Sequence, residues 1–129
     1  MVGIVVVAHN PKLSQEIINF CMELKNSDFM LENGGGLEND DGYGTCPEVI
    51  TKAIRKAEQG DGVVILCDLG SSVSNAETAK ERLKNEIRVE IVDAPIVEGT
   101  LIAMSINDGK TSLEDILEEL KDLKNFNKV

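Results

Sequence analysis

Two stretches of the chain are almost continuously apolar and rich in β-branched residues. They run from Val2 to Ala8 and from Gly62 to Asp68. Strands that are apolar on both faces are typical of a parallel sheet that is covered on both sides. Weaker strand patterns at residues 29–32 and 87–92 bring the predicted number of strands to four.

Helical patterns alternate with these strands. They fall at about 13–26, 46–58, 75–85, 99–107 and 113–124. The element order is therefore β-α-β-α-β-α-β-α-α, and right-handed crossovers then give an α/β, doubly wound fold. We expect a mainly parallel four-stranded sheet of order 2-1-3-4 with helices on both faces. A length of 129 residues fits a single domain over residues 1–129.

Four helix starts can be placed from capping residues. Asn10 before Pro11 predicts an N-cap with proline at the first helical position. Three capping boxes are predicted from a hydroxyl residue three positions before a glutamate: Thr45 with Glu48, Ser74 with Glu77, and Thr111 with Glu114.

Composition excludes several classes of function. The net charge is −10 and no stretch concentrates lysine and arginine, so nucleic acid is not an expected partner. No apolar run approaches the roughly 20 residues of a membrane-spanning helix. The three cysteines Cys21, Cys46 and Cys67 form no C-x-x-C pair, which indicates a reducing, cytoplasmic setting without a disulfide framework or a zinc site. No cofactor is expected.

The single histidine, His9, ends the first strand, and Asp68 ends the third. In a 2-1-3-4 sheet these strands are neighbours and the winding reverses between them, so their carboxyl ends border the crevice where ligands bind. If the two side chains meet, the carboxylate accepts a proton from one ring nitrogen and leaves the other free to attack. A histidine that only hydrogen-bonds in a loop is the alternative interpretation. One histidine alone does not suggest a metal site.

Small residues follow Asp68. Backbone N–H groups of Gly70, Ser71 and Ser72 at the start of a helix can bind an anion such as a phosphate group, although an ordinary βα loop has the same pattern. The glycine-rich, acidic segment 33–44 is long for such a connection and is either functional or a flexible surface loop. The chain has no G-x-S-x-G and no P-loop motif. The acidic pair of response regulators and the aromatic residues of flavodoxins are also missing.

Several motifs together resemble a known family. They are Val7-Ala8-His9-Asn10, Gly44-Thr45, Asp68-Leu69-Gly70-Ser71-Ser72, Asn75-Ala76-Glu77 and the segment from Asp93 to Gly99. In this order and spacing, and over nearly the whole chain, they resemble the DhaM family of dihydroxyacetone kinase phosphotransferase subunits. That family is related to the IIA domains of the mannose class of the sugar phosphotransferase system.

The resemblance implies a phosphoryl carrier. His9 would accept a phosphoryl group from the phosphohistidine of HPr and pass it to ADP on the DhaL subunit, and the resulting ATP phosphorylates dihydroxyacetone held by the DhaK subunit. Asp68 would be the partner of His9. The resemblance places Thr45, Gly70, Ser71 and Ser72 in the phosphoryl pocket, and it leaves open whether Glu98 and Gly99 reach the crevice. A homodimer is expected by the same resemblance.

The chain also departs from the family pattern. Many relatives have a small residue such as serine where this chain has Asn10 and Pro11, and Cys46 replaces a polar residue. Cys46 is either an oxidisable thiol beside the site or an inert cysteine at a helix start. Some relatives carry fused HPr and enzyme I domains, which we expect here to be separate proteins.

Two other functions remain open at this point. A mannose-class IIA domain would deliver its phosphoryl group to a IIB protein of a sugar transporter. A non-catalytic regulatory module would use the crevice only to bind a partner. The last helix carries an apolar face that either closes the core or forms a dimer contact, made of Leu113, Ile116, Leu117, Leu120 and Leu123.

Overall fold

A computed structural model describes all residues from 1 to 129. Its centre is one parallel sheet of strand order β2-β1-β3-β4, as predicted. The strands are β1 (Gly3–Val7), β2 (Leu31–Asn33), β3 (Val63–Cys67) and β4 (Val89–Val92). The two central strands are buried at every position, which explains their continuous apolar sequence.

Helices cover both faces of this sheet. They are α1 (Pro11–Met22), α2 (Pro47–Ala57), α3 (Ser71–Leu83), α4 (Ile96–Ile106) and α5 (Leu113–Leu120), followed by a 3₁₀ turn at Leu123–Asn125. Helices α1, α4 and α5 pack on one face, and α2 and α3 pack on the other. The doubly wound α/β prediction is therefore confirmed.

Side chains of the central strands alternate between the two cores. Ile4 and Val6 of β1 point towards α1, α4 and α5, whereas Val5 and Val7 point towards α2 and α3. The last helix closes the first of these cores, because its apolar face is almost wholly buried there, through Leu113, Ile116 and Leu120.

The prediction for the start of α1 is confirmed. Asn10 is the N-cap, its side-chain oxygen accepts the backbone N–H of Lys12 at 2.9 Å, and Pro11 occupies the first helical position. This cap fixes the direction in which the chain leaves the end of β1. It therefore also fixes the backbone beside His9.

The three predicted capping boxes are wrong in position. Cys46, not Thr45, is the N-cap of α2, and it makes no side-chain capping bond. Helix α3 begins at Ser71, because the turn at Gly70 (φ 52°) leads directly from β3 into the helix. Helix α5 is capped one residue later than predicted, by Ser112 in a capping box with Asp115.

The first part of the glycine-rich segment is packed against the β1–α1 junction. Residues 34–36 are buried. A Cβ atom at Gly35 would lie 2.6 Å from the carbonyl oxygen of Ala8, and Gly36 has a φ of 85° and faces Pro11. Glycine is required here because the backbone passes directly beneath the segment that carries His9.

We expect Gly35→Ala to destabilise the protein by about 1–3 kcal/mol, because its methyl group must displace the Ala8 carbonyl. Gly109→Ala is the matched control, since a Cβ there meets nothing within 4 Å; its effect should stay within about 0.5 kcal/mol. Urea unfolding measures both variants. Equal stabilities of the two variants would contradict this account of the packing.

Candidate functional site

His9 and Asp68 meet at the carboxyl edge of the sheet. Val7 of β1 pairs with Cys67 of β3, so the residues that follow each strand leave the sheet side by side. The Asp68 carboxylate lies 2.9 Å from His9 Nδ1 through Oδ2 and 3.2 Å through Oδ1. Oδ2 also accepts the backbone N–H of His9 at 2.9 Å. The contact predicted between the two residues is present in the structure.

This geometry assigns different roles to the two ring nitrogens. An ionised carboxylate can only accept hydrogen bonds, so Nδ1 carries the proton that faces Asp68. Nε2 then has a free lone pair, and the hydroxyl of Ser71, 2.8 Å away, can donate to it. The His9 side chain is 32% exposed, compared with 15% for Asp68. Nε2, whose contact with the Ser71 hydroxyl is exposed, lies on the solvent side of the ring.

The charge of Asp68 is held by its surroundings. Partial burial raises the pKa of its carboxyl, but hydrogen bonding with the Ser72 hydroxyl, with the backbone and ring of His9 and with the backbone of Leu69 outweighs burial and lowers the pKa to about 2. The Ser72 hydroxyl is buried and lies 3.1 Å from His9 Nδ1. Asp68 is therefore an anion at neutral pH, as an orienting partner of an imidazole must be.

The start of α3 offers donors for an anion. The backbone N–H groups of Gly70 and Ser71 have no acceptor within the chain, and the positive end of the helix dipole lies at the same place. No lysine or arginine pairs with Asp68, whose only ion-pair partner is His9. The donors shown beside Nε2 are therefore amide N–H and hydroxyl groups.

Thr45 lies beside the site but does not contact the His9 ring. Its neighbour Gly44 donates its backbone N–H to the His9 carbonyl oxygen at 2.6 Å. The Thr45 hydroxyl is bonded to the side-chain amide of Asn75, one helical turn after Ser71. Sequence reasoning assigns no individual role to Asn75, although its position four residues after Ser71 places both side chains on one face of α3.

Sequence reasoning also assigns no role to a second side-chain amide, that of Asn33. Asn33 at the end of β2 accepts the Ser14 hydroxyl at 2.7 Å and the Gly35 N–H at 2.9 Å, and it donates to the Pro11 carbonyl at 2.9 Å. These bonds hold the first turn of α1 against the buried glycine run. The signal in the sequence was only a polar residue at a strand end, which is common in any βα connection.

Glu98 and Gly99 have contacts elsewhere in the fold. Glu98 pairs with Lys128 at 2.9 Å. A Cβ atom at Gly99 would lie 2.8 Å from the Leu66 side chain, so this glycine lets α4 approach β3 closely. Both residues therefore have local structural roles.

The cysteines are free thiols. Cys21 and Cys67 are buried, and burial raises the pKa of both; for Cys67, burial together with the neighbouring Asp68 charge raises it to about 12. Cys46 is half-buried at the start of α2. The two buried thiols are protonated at neutral pH and are unreactive there.

A cavity of about 260 Å³ opens on the other side of Asp68, between α3 and β4. Its lining includes Glu77 and Asp93 and no basic residue, so it does not suit a phosphate group. No group of three or more histidine, cysteine or carboxylate side chains could hold a metal ion. No helix is both long and apolar enough to cross a bilayer. An anionic group therefore fits the site from the Nε2 side of His9.

Comparison with known proteins shows the family to which the chain belongs. Residues 3–119 match the family model EIIA-man, described as the PTS system fructose IIA component. The chain belongs to the EIIA-man family. A solved structure of a protein of unknown function has the same fold as this EIIA-man chain, with a TM-score of 0.80, 26% identity and 98% of both chains covered.

The curated relatives of this EIIA-man chain are DhaM proteins, so the resemblance to that family is confirmed. The phosphoryl donor subunit DhaM of PEP-dependent dihydroxyacetone kinase 2 from Listeria innocua is 33% identical over 93% of this chain and 97% of that protein. The Escherichia coli DhaM is 33% identical over 80% of this chain, and the Providencia stuartii DhaM is 25% identical over 92%. The chain matches only 23% and 26% of those two longer proteins.

The depressed pKa of Asp68 predicts a pH dependence of stability. Folding favours the ionised carboxyl, so this stabilisation is fully present above about pH 5 and is lost as the pH falls through about 2. A shift from the ordinary value near 4 to about 2 corresponds to roughly 2 kcal/mol.

Urea unfolding of the parent and of Asp68→Asn between pH 2 and 6 measures this effect. The difference in unfolding free energy should be constant above pH 5 and should shrink towards pH 2. A difference that does not change with pH would show that the Asp68 charge is not stabilised by the fold.

Proposed function

We propose that residues 1–129 act as a phosphoryl carrier domain. His9 accepts a phosphoryl group from phospho-HPr and transfers it to ADP bound on DhaL, which serves the phosphorylation of dihydroxyacetone held by DhaK. The observation that carries this proposal is the pairing of His9 Nδ1 with Asp68, which leaves Nε2 exposed beside free amide donors. The names of the DhaM relatives support the substrate system.

The forward step is an in-line displacement at phosphorus. The Nε2 lone pair forms the new N–P bond, while the bond from phosphorus to the donor histidine breaks and its electron pair returns to that nitrogen. The imidazole of His9 then carries positive charge, and Asp68, 2.9 Å from Nδ1, stabilises it while Nδ1 keeps its proton. Transfer to ADP reverses these roles, with a phosphate oxygen of ADP as the nucleophile.

Pocket residues would stabilise the moving phosphoryl group. The amide groups of Gly70 and Ser71 and the helix dipole of α3 face the equatorial oxygens, and the Ser71 hydroxyl can turn from Nε2 to a phosphoryl oxygen. Ser72 keeps the His9–Asp68 pair in place, and Thr45 completes the pocket. Transfer between nitrogens of two histidines is nearly balanced in energy, so positioning is the main requirement.

A mannose-class IIA domain that serves a sugar transporter is the second candidate. The matched family is described as a PTS sugar component, and the same histidine would then deliver to a IIB protein. The DhaM names of the relatives favour the first candidate. A homodimer and a cytoplasmic setting belong to the proposal in either case.

Labelling tests the carrier function. Incubation with enzyme I, HPr and ³²P-labelled phosphoenolpyruvate should give an acid-labile label on the parent chain and none on His9→Ala. A chain that remains unlabelled while HPr is labelled would contradict the proposal, and would favour a non-catalytic module that only binds partners.

Discharge of the label separates the two candidates. DhaL with bound ADP should remove the label from His9 and form ATP in a single turnover. Retention of the label with DhaL, together with its loss to a IIB protein, would identify the sugar-transporter function instead.

Asp68→Asn should slow labelling by at least about tenfold, because the amide no longer holds the proton on Nδ1 or stabilises the charged ring. Asp93→Asn is the matched control, since Asp93 lies at the exposed edge of the neighbouring cavity and does not contact His9. Initial rates of labelling by phospho-HPr measure both. Equal rates for the two variants would remove Asp68 from the mechanism.

A further inference from the structure

We propose that Asn75 is a positioning residue, which orients the Thr45 hydroxyl as a hydrogen-bond donor towards the phosphoryl group on His9. This inference rests on the proposed carrier function. It gives a role in phosphoryl transfer to a residue of α3 that does not contact His9.

The Asn75 amide makes two bonds to a single residue. Its Nδ2 group donates to the Thr45 hydroxyl oxygen at 2.8 Å and to the Thr45 carbonyl oxygen at 3.1 Å. The carbonyl oxygen can only accept, so the amide must present its NH₂ group and not its oxygen to Thr45. The orientation of the Asn75 side chain is thereby fixed.

These bonds determine what the Thr45 hydroxyl can do. Its oxygen already accepts a hydrogen bond from Asn75, and its own hydrogen has no acceptor within the chain. A hydroxyl in this state is available as a donor. The anionic oxygens of a phosphoryl group are strong acceptors and would satisfy it.

The position of Asn75 on α3 places its side chain on the same helix face as Ser71, which contacts the His9 ring. Ser71 touches Nε2 at 2.8 Å, and Asn75 is four residues later on the same helix face, where side chains lie about 6 Å apart. The second link is through Gly44, which donates its N–H to the His9 carbonyl oxygen at 2.6 Å. Thr45 is thus held between α3 and the backbone of His9.

A purely structural role for Asn75 would tie the 33–44 segment to α3 through the Thr45 carbonyl alone. That bond does not need the Thr45 side chain. The positioning role does need it, because the effect of Asn75 passes through the hydroxyl. The dependence of the Asn75 effect on residue 45 therefore distinguishes the two roles.

The test compares Asn75→Ala in three backgrounds: the parent, Thr45→Ser and Thr45→Ala. In the parent, we expect the single-turnover rate constant of labelling at saturating phospho-HPr to fall about tenfold, with the half-saturating concentration of phospho-HPr changed less than twofold. Thr45→Ser retains the hydroxyl, so Asn75→Ala should again lower this labelling rate constant about tenfold. In Thr45→Ala the further loss should be less than about twofold, because the hydroxyl is already absent.

Two more variants complete the design. Asn75→Asp keeps the side-chain shape but removes the donor, and it should lose at least as much activity as Asn75→Ala. Asn19→Ala is the matched control, because Asn19 is an exposed helical asparagine on α1 that bonds only to Gln15 and Glu16. Its rate should equal that of the parent. Thermal unfolding establishes that each variant is folded at the assay temperature.

Distinct results overturn distinct claims. A parent chain that takes no label overturns the carrier function and this inference with it. A labelled parent, with Asn75→Ala and Asn75→Asp both at parental rates, overturns only the role of Asn75. An equal fall of the labelling rate constant in the Thr45→Ser and Thr45→Ala backgrounds also overturns it, because Asn75 would then act without the hydroxyl.

Discussion

The contact between His9 and Asp68 depends on the parallel pairing of β1 with β3, and the chemistry of the site depends on that contact. The two residues are 59 positions apart in the sequence. His9 lies shortly after the end of β1, and Asp68 lies directly after the end of β3, the strand that pairs with β1. Burial of both strands on both faces fixes their register. The hydrophobic core therefore sets the distance between the His9 imidazole and the Asp68 carboxylate.

The sequence allowed the sheet and the central pair to be predicted, because both depend on long, continuous apolar runs and on topology. Fine details of the helix starts could not be predicted in this way. Thr45 has the residue type of a helix cap, but its hydroxyl bonds to Asn75, and a glycine turn starts α3 earlier than the polar pattern indicates. Tertiary hydrogen bonds compete with local capping rules, and a single sequence does not show which bond forms.

The electrostatics of the site suit a phosphoryl group that is held only transiently. In the proposed carrier, the Asp68 carboxylate would balance the charge that develops on the imidazole, and neutral amide and hydroxyl groups would face the phosphoryl oxygens. No lysine or arginine of the chain pairs with His9 or Asp68. This arrangement fits a carrier that must both accept and release the phosphoryl group with little change in free energy.

The central claim is that Asp68 keeps the proton of His9 on Nδ1 and reserves Nε2 for phosphorus. Long-range ¹H–¹⁵N correlation NMR of the His9 ring, recorded before and after phosphorylation, tests it most directly. The account predicts the Nδ1–H tautomer in the free protein and phosphorus bonded to Nε2 in the loaded protein. An Nε2–H tautomer, or phosphorus on Nδ1, would contradict it.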